Sequence, residues 1–291
     1  MPLPRSTGLP SVDAQHDFLR ARRRATIARL ATRLRLEPGD LTVILPYEEV
    51  IAALGFASEG QRRLQVVPIA QIVGSVDRER DFDRQFRPTS SRVRARWERI
   101  AAAMRRGEEL PPVDLYAIGE IYFVRDGHHR VSVACALGYS EIDAYVTEVI
   151  TRVGVDRPVT LADLPLKSHE RVFYERVPLP AADRAAIKLT DPWDYALLAE
   201  GVEAWGFRAI QQQGEPLDRA ETARLWFETE YQPVVEMLRD TGLIENCTET
   251  EAYMRVAAER YRLLRTHSWS EDVLRRLLKA RRPRGSRTRA R

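Results

Sequence analysis

From Pro111 to Gly138 the chain reads PPVDLYAIGEIYFVRDGHHRVSVACALG, and this stretch constrains the fold more than any other. Val113 to Ile118 and Ile121 to Arg125 are short apolar runs separated by Gly119-Glu120, the pattern of a hairpin. Asp126-Gly127 ends the second run and starts a short helix, His128 to Leu137, which Gly138 closes. A lone hairpin is marginally stable in water, so further elements have to join it.

The neighbouring segments offer them. Leu64 to Val76 (LQVVPIAQIVGSV) is rich in β-branched residues and predicts a strand with a turn around Gly74. Ser91 to Arg106 predicts a helix with Val93, Trp97, Ile100, Ala101 and Met104 on one face and Gly107 just past its end. Ile142 to Val149 alternates as a last strand. Between the first strand and the helix, Asp77 to Pro88 is charged and irregular.

Upstream, residues 1–13 contain Pro and Gly and read as loose. Asp17 to Leu36 predicts a helix with Ile27, Leu30, Ala31 and Leu34 on one stripe and seven arginines on the other faces. Such a helix suits an arm packed on an acidic body, or one that meets nucleic acid or an acidic partner. A short apolar run, Leu41 to Leu45, and a helix, Tyr47 to Leu54, follow, with a stop at Gly55. After Thr151 the pattern becomes helical. A proline-punctuated connector carries a helical piece at Ser168 to Arg176, and helices follow at Asp194 to Trp205, Asp218 to Arg239, Glu249 to Thr266 and Ser270 to Ala280. Thr248 with Glu251 is a capping-box pair for the third of these. Trp226, Phe227 and Tyr231 read as core, and Glu228, Glu230 and Glu236 have no His or Asp pattern beside them for a metal.

The chain carries 46 Lys+Arg against 42 Asp+Glu, and its sequence pI is about 9.2. Nine of the basic residues and no acidic one lie between Arg275 and Arg291, which leaves 37 basic against 42 acidic over residues 1–274. The basic pI therefore belongs to the tail. The last eleven residues read as disordered, able to give salt-dependent binding to nucleic acid without sequence preference. Cys135 and Cys247 are too few for a disulfide framework or a four-thiolate zinc site. No apolar run approaches the ~20 residues of a membrane span, and the proline-containing start lacks a signal peptide's apolar stretch. The expectation is a cytoplasmic protein with no membrane contact.

The chemistry concentrates at Asp126-Gly127-His128-His129-Arg130. Gly127 lets the backbone turn and approach a ligand without a side chain in the way. A helix starting there directs N–H groups outward, where an anion can be held, and Arg130 in its first turn can fork onto phosphate oxygens. His128 and His129 can donate hydrogen bonds or act as acid and base. Adjacent on a helix, they diverge and do not suit one shared metal. The alternative is that Asp126 caps the helix and the histidines are surface polar groups.

Residues 64–149 resemble the ParB/sulfiredoxin superfamily: the strand VVPIAQIV, a charged loop, a helix, the hairpin PPVDLYAIGEIYFVRDG, then DGHHRVSVACALG. The resemblance implies that the box binds nucleotide phosphates. Sulfiredoxins are similar at Gly127, His129 and Arg130 but have a catalytic Cys where this chain has His128. Cys135 does not replace it, since it falls among Val131, Val133 and Leu137 and reads as core. Partition-type ParB proteins have a Glu-Arg-Arg type box that binds CTP, ahead of a helix-turn-helix that has no counterpart after residue 150 here. Free-serine kinases of the superfamily resemble DGHHR most closely, and they use an acid in the loop after the first strand to activate a hydroxyl. Asp77, Glu79, Asp81 and Asp83 are available, with Glu79 and Asp81 taken as the candidates for hydroxyl activation or for holding Mg²⁺ on phosphates. The other reading of that loop is a solvated run of mixed charge. Residues 150–270 resemble a helical module of unknown function that accompanies such domains.

The expected fold class is therefore α+β. A basic helical arm (1–60) precedes a small mixed-sheet ParB/sulfiredoxin-like nucleotide-binding domain (61–150), a helical module (151–280) and the basic tail (281–291). The expected function is nucleotide-phosphate binding with transfer or hydrolysis of phosphate, as a small-molecule kinase or NTPase. The catalytic candidates are Glu79, Asp81, His128 and His129, and the nucleotide candidates are Asp126, Gly127, His128, His129 and Arg130. The cofactor is ATP, ADP or CTP with Mg²⁺. Candidate partners are a small hydroxyl compound, nucleic acid on the tail and a second copy as a homodimer. The alternative is a ParB-like DNA-binding regulator that uses nucleotide as a switch.

Overall fold

The computed structural model describes residues 7–34, 43–77, 80–155, 159–239 and 246–264, together with Ile244, Trp269, Asp272, Val273 and Arg276. Chain contacts divide it into two compact units, Met1–Arg171 and Val172–Arg291.

The first unit is an α+β structure. Its elements are α1 (Pro10–Leu34), β1 (Leu45–Pro46), α2 (Tyr47–Leu54), β2 (Phe56–Pro68), β3 (Ile72–Ser75), α3 (Arg94–Arg105), β4 (Val113–Ile118), β5 (Ile121–Asp126), α4 (His128–Leu137) and β6 (Glu141–Thr151). The six strands form one mixed sheet in the order β1-β3-β5-β4-β6-β2. The β4–β5 hairpin and the β2–β6 ribbon are antiparallel, while β3 joins β5 and β4 joins β6 in parallel. The hairpin, α4 and α2 stand where the sequence predicts them.

Alternation along β4 and β5 decides what each face of the sheet buries. Val113, Leu115, Ala117 and Val124 enter a core shared with Phe18 of α1, Trp97 and Ala101 of α3, and Val131 and Val133 of α4. Tyr116 and Phe123 point the other way, where Tyr47 of α2 stacks on Tyr116 at 4.8 Å and meets Phe123 edge-on. Trp97 is the hub of the larger core: it meets Phe18 edge-on at 5.5 Å, and its indole N–H donates to Ser132 Oγ of α4 at 2.8 Å. Truncating a Trp so enclosed costs ~3–5 kcal/mol.

Three expectations change here. First, the predicted strand at Leu64–Val76 is two strands, and Gly74 is no turn but lies inside β3. A Cβ there would sit 2.1 Å from the Phe123 ring and 2.8 Å from the Leu45 carbonyl oxygen, so glycine is what lets β3 close on its neighbours. The first of the two, β2, starts at Phe56 and pairs along β6 as an edge strand with only Val67 buried. Second, α1 starts at Pro10, inside the stretch read as loose, held by the Asp13 carboxylate, which accepts from the Thr7 N–H and hydroxyl. Third, its buried face is Ala14, Phe18, Ala21 and Ala25, while Ile27 and Leu34 are 55% and 84% exposed. The polarity of the docking also reverses. Acidic Asp17 of α1 receives Arg105 of α3 at 2.6 Å, so the helix grips the core through an acid and not through its arginines.

The second unit is helical, with α7 (Pro192–Gln213), α8 (Arg219–Trp226), α9 (Gln232–Arg239) and α10 (Glu249–Leu264). Two elements come before these, α5 (Leu164–Arg176), which runs across the division at residue 171, and α6 (Ala181–Arg184). The segment expected as one helix over 218–239 contains a π-helical turn, Phe227–Tyr231. The wider turn keeps Trp226, Phe227 and Tyr231 all buried, with Phe227 and Tyr231 stacked at 5.3 Å. The Thr248–Glu251 capping pair forms reciprocally, each side chain accepting the other residue's N–H at 3.1 Å. Buried Glu230 receives Arg260 at 3.3 Å and the Trp269 indole at 2.8 Å, which is a structural role. The expected helix Ser270–Ala280 and the tail lie outside the described residues, apart from Asp272, Val273 and Arg276.

Candidate functional site

The DGHHR box sits where β5 ends and α4 begins, with Gly127 as the residue between them. Gly127 adopts φ 101°, a left-handed conformation, and a Cβ on it would meet Val113 Cγ1 at 2.6 Å. Both the turn and the close approach of β4 therefore require glycine. No side chain caps α4, so the reading of Asp126 as its cap does not hold. Asp126 is instead 68% exposed at the rim, 2.7 Å from Arg130.

Beside this turn lies a cleft of about 140 Å³ lined by Gly127, His128, His129 and Arg130, with Asp77, Arg96, Ile100, Arg125 and Asp126 around them. The box supplies one wall, α3 the second and the segment after β3 the third. The two histidines are both buried, at 7% and 8% exposure. His128 Nε2 lies 2.9 Å from the hydroxyl of Ser75, a fully buried residue at the end of β3. The Phe82 ring stacks parallel to His128 at 6.5 Å and meets His129 edge-on at 5.5 Å. These contacts fix His128 as the link between α4 and β3, and they correct the alternative of two surface histidines.

Arg130 differs from its expected role. Its guanidinium donates to the carbonyl oxygens of Pro111 and Pro112 and to the Asp126 carboxylate. It ties the first turn of α4 to the start of β4. The cations that line the cleft without an ion pair among the described residues are Arg96 and Arg125, both exposed, with Arg125 also 5.4 Å from the Tyr116 ring. The sequence reading missed both. Arg125 had a signal, since it directly precedes the box, whereas Arg96 reaches the cleft only through the packing of α3 on α4.

Of the acidic candidates, Asp77 lines the cleft, Asp81 does not, and Glu79 lies outside the described residues. Asp83 is committed elsewhere: buried, it accepts from the N–H groups of Gln85 and Arg87 and from Arg87 Nε at 2.8 Å. Residues 83–87 of the loop read as a solvated run are therefore folded around that carboxylate. Cys135 lies on α4, and burial pushes its thiol up to about 12, the opposite of an activated nucleophile. Among the described residues no group of three or more His, Cys, Asp or Glu side chains could hold a metal ion. None of the described helices is long and apolar enough to cross a membrane.

The cleft fits phosphate better than a whole nucleotide. Two arginines without an ion pair among the described residues and a helix start line a space of about 140 Å³, while pockets that enclose complete ligands run to roughly 300–1,000 Å³. A base and sugar would have to lie along the rim.

No family model matches the chain, and no curated protein does. Among solved structures, a Pnob8-like ParB-N domain is similar at 11% identity and a TM-score of 0.22, over 75% of this chain and 80% of that one. A likeness that distant carries no argument, and the α+β fold rests on the topology above.

Proposed function

We propose that the protein binds the phosphate groups of a nucleotide at the Gly127 turn, as a ParB-like nucleotide-binding protein. The observation that carries the proposal is the pair Arg96 and Arg125, which line the same cleft as the start of α4 and have no ion pair among the described residues. Opposite charge and helix-start donors converge there on one anion. His129, which lines the cleft, is the ring assigned to donate to a bound oxygen. Arg130 holds the frame, and Asp126 orients Arg130.

For phosphate transfer or hydrolysis, Asp77 is the acid in reach. Its carboxylate could take a proton from a hydroxyl or water, or complete the shell of a Mg²⁺ carried in on the phosphates. The second reading, a nucleotide-operated switch without small-molecule chemistry, is favoured by the size of the cleft, which leaves little room for an acceptor beside the phosphates.

The test is calorimetric titration of ATP, ADP and CTP, with and without Mg²⁺, into the full chain and into an Arg96→Ala/Arg125→Ala variant. Both residues are exposed, so the variant should fold. Binding to the parent and at least a roughly tenfold loss in the variant are expected. The reading is wrong if none of the nucleotides binds the parent, or if the variant binds as the parent does. Asp77→Asn separates the two modes: loss of turnover with binding retained supports catalysis.

A further inference from the structure

The first unit also holds a cavity larger than the DGHHR cleft. It measures about 550 Å³ and opens between α1, the 84–87 loop and the C-terminal half of α4. Its polar wall contains Arg20, Arg24, Arg84 and Arg87, against a single carboxylate, Asp17. The local charges do not cancel. Arg87 is neutralised by Asp83 at 2.8 Å. Asp17 is taken by Arg105 at 2.6 Å and only brushed by Arg20 at 3.6 Å. Arg24 has no ion-pair partner among the described residues.

Arg84 is the most informative of the four. Its guanidinium donates to the Val159 carbonyl at 3.1 Å, and burial holds its pKa below the usual arginine value. A half-buried cation whose one hydrogen bond among the described residues goes to a carbonyl is stabilised by an anion that enters beside it. The loop that carries it is over-determined. Phe86 sits at φ 53°, unfavourable for a bulky residue, and is held there by its N–H bond to the Asp83 carbonyl and by the Asp83 carboxylate bonds on either side. The remaining wall is mainly apolar, with Ile72, Ala136 and half-exposed Tyr139, and includes Gln85, Ser132 and Ser140. A volume of this size with one cationic and one apolar wall suits a small ligand of matching polarity.

We propose that this cavity is a second binding site, for a small organic phosphate whose apolar body lies against Ile72, Ala136 and Tyr139 and whose charged end meets Arg20, Arg24 and Arg84. The site is separate from the Gly127 turn, and it does not depend on nucleotide binding there. Phe82 connects the two, since its ring contacts both Phe86 and the box histidines.

The experiment titrates 2-naphthyl phosphate into the full chain, with 2-naphthol as the uncharged control. Three variants accompany it: Arg24→Glu in the cavity, Arg29→Glu on the same helix outside it, and Arg96→Ala/Arg125→Ala in the other cleft. Matched far-ultraviolet spectra confirm folding. Saturable binding of naphthyl phosphate is expected in the parent, in Arg29→Glu and in the cleft variant. Arg24→Glu should weaken it at least roughly tenfold, and 2-naphthol should bind weaker by a similar factor. The proposal is overturned by no saturation in the parent, by equal binding in Arg24→Glu and Arg29→Glu, or by loss in the cleft variant with survival in Arg24→Glu.

Discussion

Replacing Gly127 by alanine tests the geometry on which the phosphate reading rests. Two costs add at this position. An L-residue held in the left-handed region costs about 1–2 kcal/mol. The new Cβ would also sit 2.6 Å from Val113 Cγ1 and 2.9 Å from Val113 Cβ, an overpacking term of about 1–3 kcal/mol. Together they predict a loss of roughly 3 kcal/mol, or about 150-fold in protection, at 1.4 kcal/mol per factor of ten. Gly107 provides the control. It also has a positive φ, 73°, but nothing lies within 4 Å of its would-be Cβ, so Gly107→Ala should lose only about 1 kcal/mol. Hydrogen exchange on the slowest amides of α3 and α4, followed by mass spectrometry, measures both variants in the intact chain. A double-mutant cycle with Val113→Ala should show coupling near 1 kcal/mol, because truncating Val113 removes the Cγ1 part of the clash but neither the Cβ contact at 2.9 Å nor the backbone strain. If Gly127→Ala costs no more than Gly107→Ala, the close approach of β4 to the turn is wrong, and the site's geometry with it.

Ser75→Ala leaves His128 Nε2 without its buried hydroxyl partner, a loss of about 1–3 kcal/mol that should lower Tm by roughly 5 °C; an unchanged Tm would remove Ser75 from the frame of the site. Asp17→Asn leaves Arg105 with only the more distant Asp13 carboxylate, 3.9 Å away, in a largely buried setting, at a cost of about 3 kcal/mol. Trypsin should then cut within α1 at least roughly tenfold faster, and an unchanged cleavage rate would mean that the apolar contacts of Phe18 suffice to hold the helix. Cys135 should resist iodoacetamide at pH 8 by roughly a thousandfold relative to the unfolded chain, because burial raises its thiol to about 12. The same shift has a stability consequence with a definite sign. The folded thiol holds its proton above the unfolded value, so its contribution is complete below about pH 8.5 and is lost as pH rises toward 12. Urea midpoints should fall over that window and fall less in Cys135→Ala.

The pattern of what the sequence revealed follows the range of the interactions involved. The hairpin and α4 were readable because their determinants are local: Gly119, Gly127 and Gly138 each take a positive φ where the chain turns. The edge strand β2 was half-read because its partner β6 lies about eighty residues away, and because twelve of its thirteen residues are outside the core, so no alternation marks its first eight. The buried face of α1 was misread for a different reason. Large residues at Ile27, Leu30 and Leu34 outweighed Ala14, Ala21 and Ala25, yet small residues are what allow Phe18 to reach the Trp97 ring at 5.5 Å. The same limit governs the candidate site. The box could be found as a contiguous motif, but a motif does not state which of its charges are already answered inside the fold. Arg130 is answered by two proline carbonyls and its own neighbour Asp126, so the charge that remains for a ligand comes from Arg96, thirty residues upstream, and from Arg125. A phosphate placed at this turn would thus be held largely by residues outside the motif that advertises it, and substitutions of Arg130 alone would confuse loss of binding with loss of the frame.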